Sequence, residues 1–254
     1  MIKYSRILVL VTPIIIWLFL LFILVWPKIF YFSIIFNTFL IFLSVWLFIK
    51  NSQDKKDWWN FSLLPVLFHI SIAFYATLLN QRIIVHLLYI LVFIFTYFYF
   101  RNIYAFLVKP DTYKPRTLEN ISSYGNFLVI FFSFATIYGL QSFLNSPVWL
   151  LMLISIFFIS LVVYNVIWAN KIDYKIGLIF ILICTLILVE IGWSLSFLPL
   201  NYNVLGLIIA ICYYMLIGLV RFYLNNNLVK NILKVYLSLG IITIIIILFT
   251  ASWM

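Results

Sequence analysis

Uncharged apolar stretches of about 20 residues recur along this chain from end to end, each long enough to cross a hydrocarbon core of roughly 30 Å as a helix. In lipid a backbone must satisfy its own hydrogen bonds, which leaves only helices and closed barrels. A barrel strand alternates apolar and polar residues over about 10 positions, and these stretches stay apolar throughout. Composition agrees, because 67% of the 254 residues are hydrophobic and 9% are charged, against about 25% charged in a soluble domain. The chain therefore reads as all-α, a polytopic transmembrane helical bundle surrounded by a lipid bilayer.

Nine spans are expected, at 7–26, 29–49, 58–79, 83–100, 121–141, 147–168, 176–197, 204–224 and 235–252. Lys3 and Arg6 precede the first span as they would in a signal peptide. Its apolar run is too long for one, however, and no small-residue cleavage site follows Trp26, so it reads as an uncleaved helix. With nine spans, all but Lys28 and Arg82 of the 16 lysines and arginines fall on the N-terminal side. The positive-inside rule then predicts a cytoplasmic N terminus and an external C terminus. An even number of spans would destroy this bias. Of the nine tryptophans, only Trp17 lies far from a span end, as interfacial belts require.

The bias also accounts for the net charge of +10, which would otherwise suggest nucleic acid. No nucleic-acid partner is expected. Cys184 and Cys212 both fall within spans and read as small buried apolar residues. Heavy use of Ile, Phe, Tyr, Asn and Lys looks like the coding bias of an AT-rich genome, and a bacterial cytoplasmic (inner) membrane is the expected location.

The longest polar connection is "KPDTYKPRTLEN", with two prolines and no apolar periodicity, and Asn120 is a candidate cap for the fifth helix. A single integral membrane domain, 1–254, is expected. Sub-bundles 1–108 and 120–254 would be joined by this cytoplasmic loop, 109–119.

Glu190 is the one acidic residue inside a span, since Asp54, Asp57, Asp111, Glu119 and Asp173 all sit in loops. Helix rise puts it about 6 Å outward of the bilayer midplane. Both histidines are also within spans, His69 near the middle of the third and His86 near the outer end of the fourth. At 100° per residue Glu190 shares a face with Trp193, Ser194 and Phe197. His69 shares one with Ser62, Pro65, Ala73 and Ala76, a small-residue stripe suited to helix contact. His86 shares one with Tyr89, Ile90, Phe93 and Tyr97, and Pro65 frees a backbone carbonyl one turn away.

Three roles for Glu190 follow. A protonated Glu190, hydrogen-bonded to a hydroxyl or histidine, would join helices. Glu190, His69, His86 and Ser194 would instead bind a proton, cation or polar substrate in an outward-facing cavity. Two histidines and a glutamate are also a zinc ligand set, but they come from three helices with no local spacing, and no metal is expected. In each case Glu190 should face protein.

Asn37, Asn126, Ser133, Thr136, Ser155, Ser160 and Asn165 are candidates for interhelical hydrogen bonds. Ala135 with Gly139, and Gly206 with Ala210, are small residues one turn apart that permit close approach. The many aromatic residues read as lipid-facing bulk. The sequence contains no G-x-S-x-G, no H-E-x-x-H, no phosphate-binding glycine loop and no aspartate-rich motif, so no motif names a cofactor. The expected role is intramembrane binding or transport, or that of a membrane subunit with a membrane-protein partner. A lipid-modifying enzyme with a His/Glu polar centre is the alternative.

Overall fold

Pro27 lacks the N–H that would continue a helix, and there the long N-terminal apolar run divides. In the computed structural model α1 (Ile2–Val25) ends before it, a 3-10 turn takes Pro27–Ile29, and α2 (Phe30–Lys50) follows. α3 (Trp58–Ala76), α4 (Arg82–Val108), α5 (Thr117–Leu144), α6 (Val148–Ala169), α7 (Tyr174–Leu195), α8 (Tyr202–Leu224) and α9 (Lys230–Thr250) complete the described helices. The structure describes residues 2–50, 58–172, 174–224 and 230–251, the side chains of 2–5, 174 and 230–232 excepted. Asp54, Lys55, Lys56, Asp57 and Asp173 lie outside the described residues. Among the described residues nine helices are long and apolar enough to cross a bilayer, one for each span read from the sequence.

Some ends differ from the sequence reading. α4 continues past Phe100 to Val108 and carries Arg101 and Asn102 in regular helix. Nothing breaks it before Pro110, and the Asn102 amide donates to the Phe98 carbonyl at 2.7 Å. Asn120 is not a cap. α5 starts three residues earlier, after Arg116 in the left-handed region (φ 65°), and the Leu118 N–H donates to the Tyr113 hydroxyl at 3.3 Å.

Two compact units divide the chain between Gly125 and Asn126, inside α5 and beyond the 109–119 loop. A Cβ at Gly125 would run into Phe95 of α4, so the start of α5 packs against the helices that precede it. In this first unit α1 and α3 each pack on both α2 and α4. Phe68 of α3 stacks on Phe95 of α4 at 4.0 Å, and Phe48 of α2 meets Phe100 of α4 at 5.7 Å.

α3 is the most deeply buried of the nine helices. Its polar residues give the cause. Asn60, Ser62, His69 and Ser71 would be costly against acyl chains, so the span that carries them lies inside. The small-residue stripe expected around His69 is therefore too narrow a description, because α3 is covered on nearly every side.

In the second unit α6 packs on α7, α7 on α8, and α8 on α9. One residue of each small-residue pair meets the other: a Cβ on Gly206 of α8 would stand 2.9 Å from the backbone nitrogen of Ala135 in α5. Asn126 of α5 donates to the Asn165 side-chain carbonyl of α6 at 3.0 Å, both residues fully buried.

Of the polar candidates, Ser133 is buried with no partner among the described residues, and the others divide by reach. Asn126 and Asn165 bond across helices, and Asn37 donates from α2 to the Ile16 carbonyl of α1 at 3.5 Å. Thr136, Ser155 and Ser160 instead bond to carbonyls of their own helices, at Phe132, Met152 and Phe157. A short hydroxyl reaches the carbonyl one turn back more easily than a neighbouring helix. Aromatic residues fall on both sides: Tyr89, Tyr99, Tyr138, Tyr213, Phe48 and Phe68 are fully buried, while Tyr31, Phe32, Phe39, Trp149, Phe197 and Phe249 are exposed.

Candidate functional site

Among the described residues of the second unit, Glu190 does not face protein. Its side chain is exposed on α7, and the same face exposes Leu186 (59%), Trp193 (56%) and Phe197 (71%). Ser194 offers the carboxylate nothing, because its hydroxyl donates to the Glu190 backbone carbonyl at 2.9 Å. No described residue of the second unit is thus its partner, and His69, the other expected partner, belongs to the first unit. A helix wheel groups Glu190 with Trp193, Ser194 and Phe197 correctly, but it cannot say which side the group faces.

His69 has the opposite environment. It is fully buried in α3, close to the Val66 carbonyl, yet neither ring nitrogen has a partner with hydrogen-bond geometry. A neutral imidazole has one donor and one acceptor, so both capacities remain uncommitted to the described residues. His86 stands exposed near the start of α4, beside exposed Ile83, Leu87 and Ile90. The two histidines belong to the first unit, and Glu190 and Ser194 to the second.

Among the described residues no three of His, Cys, Asp and Glu gather closely enough to hold an ion. Cys184 and Cys212 are free thiols, the first buried and the second half-buried.

Several interhelical polar contacts escaped the sequence reading. Thr12 of α1 and Ser44 of α2 share a buried hydrogen bond of 2.8 Å. Tyr138 of α5 donates to the Gly192 carbonyl of α7 at 2.9 Å, and Gln141 donates to the Ser196 carbonyl at 3.1 Å. These last two close on the turn of α7 next to Glu190. Position in a span signals such a residue, but its partner lies about 30 or more residues away and leaves no local trace.

The fold and these side chains define a multi-pass helical membrane protein. No protein-family model, curated protein or solved structure matches the chain.

Proposed function

We propose that this protein is the membrane-embedded subunit of a larger assembly, in the cytoplasmic membrane, and that its partner covers the Glu190 face of α7. The exposed carboxylate carries this reading. An unpaired acidic group in the bilayer interior costs about 3 kcal/mol even on lenient scales. Nothing among the described residues of the second unit offsets that cost. A partner helix with a hydroxyl, amide or basic side chain at the same depth would do so, and the flanking Leu186, Trp193 and Phe197 would supply apolar contact.

A photo-cross-linking residue at position 186 or 193 tests this in intact membranes. Adducts to one membrane protein are expected from both sites and not from Phe39, exposed on α2. Glu190→Leu should abolish those adducts while the isolated chain melts in detergent at or above the wild-type temperature. Adducts to lipid alone at every site would overturn the proposal.

A second reading, intramembrane binding or transport, draws on His69, whose two ring nitrogens are buried without a partner among the described residues. His86, Glu190 and Ser194 would be its further candidates. The lipid-modifying alternative requires His69, His86 and Glu190 to form one polar centre. It has less support, since His86 and Glu190 are each exposed on the flank of a helix.

A further inference from the structure

At the N-terminal side of the first unit the extended end of α4, the start of α1 and the loop before α5 enclose a cavity of about 630 Å³. The 3-10 turn at Pro110–Thr112 folds the loop back, and the Tyr113 ring lies edge-on to Phe106 of α4 at 5.1 Å. Arg6, Arg101 and Lys114 line this cavity and no acidic side chain does. None of the three makes an ion pair among the described residues. Orientation in a bilayer explains why cations are numerous on this side, but not why three of them, from three separate segments, converge on one cavity while Lys109 and Arg116 of the same loop do not line it.

The remaining polar groups narrow the ligand. Thr112, Thr117 and Asn102 already donate to the carbonyls of Lys109, Lys114 and Phe98. Tyr104 is 9% exposed, lines the cavity, and has no hydrogen-bond partner for its hydroxyl. Tyr97 also lines it, so the cavity offers two guanidinium groups, an ammonium and two phenols, a set suited to an oxyanion with several acceptor oxygens. Its wall includes Val9, Leu10 and Phe98, and the last two are about half exposed on the sides of their helices (51% and 47%). One side of the cavity is cationic and the other continues toward lipid.

We propose that this cavity binds a phosphate group, carried by a lipid of the adjacent leaflet or by a soluble phosphorylated compound. Arg6, Arg101 and Lys114 supply the charge, and Tyr104 donates a hydrogen bond. The apolar wall favours the lipid, because a chain attached to the phosphate would lie along Leu10 and Phe98.

Native mass spectrometry of the purified chain in an uncharged detergent separates the sources. The probes are a short-chain phosphatidylglycerol, the matching diacylglycerol and inorganic phosphate. Phosphatidylglycerol should be retained and diacylglycerol lost. Arg101→Gln with Lys114→Gln should weaken phosphatidylglycerol roughly tenfold per cation removed, the scale of a charge-assisted hydrogen bond. Lys28→Gln with Arg82→Gln, both outside the cavity, should change nothing. Inorganic phosphate held as tightly as the lipid, and released by the same double substitution, would support the site and assign it to a soluble compound. Equal binding of both phosphate probes by wild type and the double variant would overturn it. If the double variant melts early, Lys114→Gln alone carries the comparison, since Lys114 is an exposed loop residue.

Discussion

At the scale of single residues, the contrast between His69 and Asn126 shows how burial alone misleads. Both are fully buried in helices that cross the bilayer. Asn126 has a partner in Asn165, while neither nitrogen of His69 has one among the described residues. Replacing a buried polar group that has no partner removes desolvated atoms without breaking a bond. His69→Phe should therefore melt at or above the wild-type temperature in detergent. Asn126→Leu should lose about 1 to 2 kcal/mol, because it breaks an interhelical bond and leaves Asn165 buried alone. A His69→Phe variant that melts well below the Asn126→Leu variant would show that His69 holds the bundle together, and the binding reading would lose its support. Both residues were legible as polar sites inside spans. Which of them had a partner was not, since the Asn126 partner lies 39 residues away.

Between elements, close approach of backbones does what hydrophobicity cannot do in lipid. Acyl chains are as apolar as Leu, so helices associate through packing and hydrogen bonds. α8 meets α5 where Gly206 faces Ala135, and a Cβ at Gly206 would stand 3.0 Å from the Ala135 Cβ and closer still to its backbone nitrogen. Backbone atoms cannot turn aside as a flexible side chain can. Gly206→Ala should accordingly destabilise the purified protein by roughly 1 to 3 kcal/mol, the usual range for overpacking. Adding Ala135→Gly should restore only part of that loss, because it removes one of the close atoms and leaves the backbone in place. Full restoration would mean that the backbones are free to separate. Gly206 and Ala135 both stand out in the sequence, but only the structure brings the two together.

For the whole molecule, the charge bias makes a prediction that depends on every span at once. Reporter fusions after Met254 should be active only on the outer side of the membrane, and fusions near Lys114 only in the cytoplasm. A cytoplasmic C terminus would mean that one of the nine helices does not cross. The division between Gly125 and Asn126 is likewise a property of the whole chain. Polarity and prolines point to the loop before α5 as the natural boundary, yet that helix starts among the contacts of the first unit, where the flat face of Gly125 admits Phe95.

The class of protein, the number of its spans and the identity of its intramembrane polar residues follow from the sequence by itself. A run of about 20 apolar residues has few stable structures other than a membrane helix, and a polar residue within it stands out against a uniform background. Which way Glu190 points, which asparagines meet and where three cations converge were decided only by the tertiary structure. In water, an apolar stripe marks the buried face of a helix, because the solvent rejects it. In lipid the surroundings and the protein interior are equally apolar, so the same residues serve on either face and the sequence carries little record of which face is buried.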